Sequence, residues 1–231
     1  MSRTTSEPRA LTSLRLDQLN QVPQDSQFRP APPSRSLQNS LNIGPLTAVI
    51  MGLCIVVALL TKLGTNERFL VPLLITVQDR KTLPEVLHGE LWRVLTPIFL
   101  HFGLPHIVFN MLAFKDLGTL VERLVGSRTL LAFVLIAGIG SNLVQFRFGD
   151  TFVFGGLSGV VYALFGYVWM KSQFDPFAGF RLHQQTVIMM IGWFFLCVFG
   201  VIPHVANWAH GAGLVIGMIW GFAAAKMRRA A

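Results

Sequence analysis

Charge is what this chain has least of. Asp, Glu, Lys and Arg make up 13% of its 231 residues, against 52% hydrophobic residues and a mean hydropathy of +0.55. That excludes an ordinary soluble domain of this length and points to a bilayer as the solvent. Cysteine is nearly absent. Cys54 and Cys197 both fall in apolar runs, so they form no CxxC metal or redox motif and read as small packing residues. Acidic residues are scarcer than basic ones, 11 against 19, for a net charge of +8. The basic residues are strung along the chain rather than gathered in a patch alternating with exposed aromatics, which argues against nucleic-acid binding. The N-terminal stretch lacks the early apolar core of a cleavable signal peptide, and Glu7, Asp17 and Asp25 argue against a mitochondrial transit peptide.

What is present is a series of six apolar runs: Gly44–Leu63, Leu104–Leu124, Ser127–Phe146, Gly156–Met170, Thr186–Ile202 and Asn207–Ala225. Most approach the ~20 residues that span hydrocarbon, so the expected fold is an all-α membrane protein of six transmembrane helices, occupying residues 43–231. Residues 1–42 are polar and broken by Pro8, Pro23, Pro30, Pro32 and Pro33, and read as a flexible cytoplasmic arm. With the N-terminus inside, 13 of the 19 Lys and Arg residues fall on the cytoplasmic side, so both termini are expected there. The long connection from Gly64 to Gly103 then faces outward, with Trp92 at headgroup level.

The fourth run opens on Phe154-Gly155-Gly156-Leu157-Ser158-Gly159 and continues through Tyr162. It places Ser158 at the N-terminus of a helix, where unpaired backbone N–H groups and the positive end of the macrodipole would meet an oxyanion. On this segment alone a second reading stands equally well, that its small residues merely let helices pack. The other runs carry further polar residues: His106 and Asn110 share a helix face in the second, and His210 opens the sixth beside Gly213, Gly217 and Gly221. In the expected topology the second, fourth and sixth runs all start on the outer side. A rise of 1.5 Å per residue puts Asn110, Ser158 and His210 roughly 20 to 24 Å above the inner boundary, below the outer surface of a ~30 Å core, in a hollow that water can fill.

Serine needs a base, and His210 is the candidate. Tyr162, four residues after Ser158, is placed to stack on the imidazole. No carboxylate in the runs suits a triad, so a Ser-His dyad is expected, with His106, Asn110 and the Ser158 amide as oxyanion donors. A haem or metal site built from His101, His106, His204 and His210 is disfavoured, since His101 and His106 do not share a helix face and no ligand spacing repeats. The third run singles out no chemistry, the fifth reads as a lipid-facing wall around Trp193, and Glu122 and Arg123 read as ties for the cytoplasmic loop that follows them.

The set His106-x-x-x-Asn110, Gly118-x-x-x-Glu122-x-x-x-Gly126, Gly156-Leu157-Ser158-Gly159 with Tyr162, and Ala209-His210-x-x-Gly213-x-x-x-Gly217, together with Trp92-Arg93, resembles the rhomboid family of intramembrane serine proteases. The resemblance covers about residues 44–225 and implies a six-helix rhomboid-type bundle. It also implies Ser158 as nucleophile, His210 as base, and His106, Asn110 and the Ser158 amide around the oxyanion, supported by Tyr162, Gly156 and Gly159. Cleavage of other proteins' transmembrane segments without metal or cofactor is expected, in the inner membrane of a bacterium.

Overall fold

The computed structural model describes residues 42–77, 82–203 and 205–230. The expected N-terminal arm, apart from Asn42, lies outside the described residues. All regular structure among the described residues is helical: α1 (Pro45–Leu60), α2 (Glu67–Leu70), α3 (Pro84–Leu87), α4 (Leu104–Val125), α5 (Ser127–Phe148), α6 (Ser158–Phe174), α7 (Gln184–Val198) and α8 (Asn207–Ala230). The six long helices take up the six apolar runs, with shifted ends. Helix α1 stops at Leu60 because Lys62 and Leu63 adopt positive φ, and α6 starts two residues later than its run because Gly156, at φ +119°, is not helical. By length and composition α5 and the Asn207–Met227 part of α8 can cross a membrane, while α1 and α7 are shorter apolar helices.

Helix α1 shows the solvent most plainly. Thr47, Ile50, Cys54 and Ala58, spaced three and four apart, form its buried stripe. Its other faces expose Val49, Leu53, Val56 and Leu59, with no charged residue anywhere in the helix. A helix that is apolar on its exposed side has hydrocarbon as its surroundings, and the protein is an integral membrane protein.

Helix α6 lies at the centre, with every residue from Gly159 to Val168 buried. Its tightest neighbour is α8. A Cβ on Gly213 would collide with the Gly159 carbonyl, and one on Gly217 with the Ala163 carbonyl. At Gly221 a Cβ would stand 2.5 Å from the Tyr167 carbonyl oxygen. Each step of four along α8 therefore meets a step of four along α6, backbone against backbone, which only glycine permits.

Glu122 does more than tie the loop after α4. The α1 N-cap, Gly44, has no side chain to offer the helix's unpaired N–H groups. Glu122 supplies the cap from α4: its carboxylate accepts from the Leu46 and Thr47 N–H groups at 2.8 and 2.9 Å and from the Thr47 hydroxyl at 2.8 Å. It also accepts from Ser127 Oγ at 2.7 Å, at the start of α5. One side chain thus fixes adjoining ends of three helices.

The described parts of the connection between α1 and α4 are held by polar side chains. Arg93 Nη1 donates to the Val71 and Leu74 carbonyls, each at 2.8 Å, and Asn142 Nδ2 of α5 donates to the Val94 carbonyl at 2.9 Å. Burial works against the charge on Glu85. Hydrogen bonds from its own N–H, the Thr76 hydroxyl and the Val77 N–H, with the Arg93 charge, outweigh it and hold the carboxyl below its usual range. Trp92 is half exposed, with Nε1 donating to the Pro72 carbonyl at 3.2 Å.

Replacing Gly217 by Leu should separate α6 from α8 at a cost upward of about 3 kcal/mol, whereas Gly192→Leu, on α7 with open space around it, should be tolerated. Unfolding midpoints in mild detergent check the pair, and equal effects of the two substitutions would count against the contact.

Candidate active site

Ser158 is the first residue of α6, so the amides of the first turn have no carbonyl one turn back within the helix. The loop that delivers it is set by Gly156. Its φ of +119° is one that residues with a side chain rarely adopt, and a Cβ there would stand 2.6 Å from His106 Nε2. Its N–H donates to the Pro97 carbonyl at 3.0 Å, which pins the loop to the segment before α4. Gly159 is equally confined, since a Cβ would come within 2.5 Å of Ser141 Oγ.

The glycine contact with α8 brings His210 to this point. His210 Nε2 and Ser158 Oγ are 2.7 Å apart, and His210 is buried while Ser158 is half-buried. With the serine hydroxyl donating to Nε2, the proton of a neutral imidazole sits on Nδ1. No carboxylate or other hydrogen-bond partner meets that nitrogen among the described residues. The Tyr162 ring lies against the imidazole, with centroids 4.8 Å apart and planes 35° apart. Its hydroxyl donates to the Met190 carbonyl of α7 at 3.1 Å.

His106 is oriented from its other nitrogen. The Phe102 N–H donates to His106 Nδ1 at 3.2 Å, which leaves a neutral ring with its hydrogen on Nε2, the atom that borders Gly156 and lies toward Ser158. Asn110 Nδ2 donates one hydrogen to the His106 carbonyl at 2.9 Å and has a second to give. Of the expected residues, Ser158 and His210 are in contact and His106 Nε2 borders the same glycine as Ser158 Oγ, whereas Asn110 lies one turn further along α4 and is bonded to the His106 carbonyl. Such a set can transfer an acyl group through a serine and stabilise the oxyanion it creates.

Sequence reasoning missed several neighbours. His101 was set aside on helical spacing, but it precedes α4, where that spacing does not apply. It is fully buried, and its ring centroid lies 5.1 Å from that of His106. His204 lies outside the described residues. Ser141, Asn142 and Gln145 of α5 are all buried, and Gln145 Oε1 accepts from the N–H of Ala209 at 3.2 Å, one residue before His210. The spacing of Ser141 and Gln145, one turn apart, is the signal that could have found them. A cavity of about 640 Å³ opens beside this segment, lined by Gln145, Asp150, Phe154, Cys197, Asn207 and Trp208 among others. Neither Ser158 nor His210 lines it.

A family model described as Rhomboid domain matches residues 88–227. Rhomboid protease GlpG of Salmonella paratyphi A is 38% identical over 180 residues, covering 78% of this chain and 63% of the relative. Rhomboid protease GlpG of Salmonella typhi is 39% identical over 184 residues, with the same two shares. The chain thus spans about 63% of the length of the curated relatives it matches.

The geometry makes Ser158 a target for a fluorophosphonate. Tyr162→Phe keeps the ring on His210 and should label within about threefold of the unaltered protein, while Tyr162→Ala frees the imidazole and should slow labelling on the order of a hundredfold, the scale of a small misplacement of a reacting group. Equal rates for the two variants would show that the ring does not hold His210.

Proposed function

This chain belongs to the rhomboid family, and from that premise we propose that it is an intramembrane serine protease that cuts peptide bonds in or near the transmembrane segments of other proteins. The observation that carries the reading is the 2.7 Å contact between His210 Nε2 and Ser158 Oγ at the start of a helix. As Ser158 Oγ attacks the scissile carbonyl, His210 Nε2 takes its proton and then delivers it to the departing amine. In the second half-reaction His210 takes a proton from water, which attacks the acyl-serine; the imidazolium then returns that proton to the departing Ser158 Oγ as the new carboxyl end is released. The tetrahedral oxyanion in each half accepts hydrogen bonds from the Ser158 amide, His106 Nε2–H and Asn110 Nδ2–H. Gly156 keeps the approach to Ser158 free of a side chain, Gly159 supports the site by letting α6 pack on α5 and α8, and no metal or cofactor is required.

The proposed setting is the inner membrane of a bacterium, with residues 43–231 forming the six-span protease domain and residues 1–42 a cytoplasmic arm. The distribution of basic residues supports both termini inside. The site then lies in a water-filled hollow open to the outer face. A client helix must unwind there, because its carbonyls are occupied by its own N–H groups, and this favours clients weakened by Gly, Pro or polar residues near the outer end. Sideways access past α7 is supported by how lightly that helix is held: only Met190 and Cys197 of its residues are buried. Near its outer half it meets α4 through Trp193 and Phe109, whose ring centroids are 5.4 Å apart.

Ser158→Ala and His210→Ala should each abolish cleavage of a model transmembrane client by the purified protein, and the double variant should be little worse than either. His106→Ala or Asn110→Ala should slow it by roughly 10 to 1,000-fold, the scale of one oxyanion donor. Substantial turnover by Ser158→Ala would remove the assigned nucleophile.

Topology has its own check. Cysteines placed singly at His88 and Gln173, both exposed, in a background lacking Cys54 and Cys197, should react with a membrane-impermeant maleimide from opposite sides. Reaction from one side for both would overturn the orientation.

A further inference from the structure

Helix α4 carries a carboxylate where its position predicts none. Leu104, Val108, Phe109 and Leu112 form its exposed apolar stripe, and Asp116 continues that stripe one turn further, with its side chain 75% exposed. Among the described residues its one ion pair is with its own neighbour, Lys115, at 3.5 Å. Lys115 meets it from the flank and leaves the carboxylate largely exposed, and an ionisable group bordering a face otherwise built for hydrocarbon favours a further partner.

The stripe borders the α4–α7 seam, because Phe109 touches Trp193. The other wall of that seam changes character at the same depth. The two helices run in opposite directions, so descending α7 from Trp193 leads through Met189, which is 62% exposed, to Thr186 and the exposed Gln185 and Gln184. Descending α4 from Phe109 leads through Leu112 to Asp116. Beneath the Phe109–Trp193 contact both walls are therefore apolar for about 10 Å, and then both become polar, with the acid on α4.

We propose that Asp116 and the polar foot of α7 form a docking position for a cationic residue of a client transmembrane helix. The proposal rests on the protease reading for the identity of the occupant. His106 and Asn110, at the site, precede Asp116 by ten and six residues on the same helix. A client lying along the seam is then read about six to ten residues inward of its cut, where a Lys or Arg meets the carboxylate. Charge complementarity selects that occupant: an acidic client residue at this level would face Asp116, and an apolar one would leave the carboxylate in hydrocarbon.

The test uses the full chain in phosphatidylcholine vesicles and a Leu/Ala model transmembrane helix with a helix-weakened cut region and a single Lys moved through positions four to fourteen below it. Binding is read by energy transfer on the Ser158→Ala protein, so that it does not depend on turnover; cleavage is read separately on the unaltered protein. Affinity should peak with Lys six to ten residues below the cut, roughly three- to tenfold above the Lys-free helix, the range of polar contacts between membrane helices. Asp116→Asn should flatten the peak, Lys115→Ala should raise it by removing the competing cation, and Asp116→Lys should shift the preference to a client carrying Glu. Affinity independent of Lys position, or a Lys preference retained by Asp116→Lys, would overturn the proposal. Clients cut without any such preference would leave the protease reading standing alone. Position-dependent binding without cleavage by the unaltered protein would do the reverse.

Discussion

Everything at the site depends on how closely α8 can lie on α6. Ser158 and His210 belong to different helices, 52 residues apart, and neither has a covalent or local reason to meet the other. What brings them to hydrogen-bonding distance is backbone-to-backbone contact at Gly213, Gly217 and Gly221. In hydrocarbon there is little hydrophobic drive for helices to associate, so shape has to supply it. The glycines give α8 a flat side, and α6 presents carbonyls rather than side chains at Gly159, Ala163 and Tyr167. A methyl group at any of the three glycines would push His210 off the serine before it touched the chemistry.

Much of this was legible in the chain, because the signals were periodic or local. Runs of apolar residues mark the six long helices, a four-residue glycine repeat marks the α8 contact face, and a serine among glycines at the mouth of an apolar run marks a helix start. What the chain does not display is pairing at a distance. Glu122 was expected to tie the loop that follows it, and it does bond to Ser127. Its larger task is to cap α1, whose residues Leu46 and Thr47 lie some 75 positions earlier, and no periodicity encodes that. Gln145 and Asn142 were passed over for the same reason: their partners, the Ala209 N–H and the Val94 carbonyl, are backbone groups of remote segments. The burial of His101 beside His106 is not legible either, because His101 lies in the irregular segment before α4, where helical spacing does not apply.

The helices differ in how firmly they are tied. Helix α1 is capped by Glu122, α5 is bonded to the segment before α4 and to α8, and α6 is buried from Gly159 to Val168. The described parts of the connection between α1 and α4 are held by Arg93, Thr96 and Asn142 to backbone carbonyls. Rigidity is thus concentrated around the serine and histidine, where geometry has to be kept within a fraction of an ångström. Helix α7 is the exception, with two buried residues and a largely apolar outer face.

That exception is not isolated from the rest, because of Tyr162. One end of its side chain lies against the His210 imidazole and the other gives its hydroxyl to the Met190 carbonyl in the middle of α7. The least anchored helix and the His210 imidazole therefore share a single rigid spacer. Thermodynamic reciprocity follows from that arrangement: any displacement of α7 that breaks the hydroxyl contact alters the freedom of the imidazole, and anything that immobilises the imidazole must bias α7 toward its inward position by the same free energy. An inhibitor bonded to Ser158 would then act as a latch on a helix it never touches.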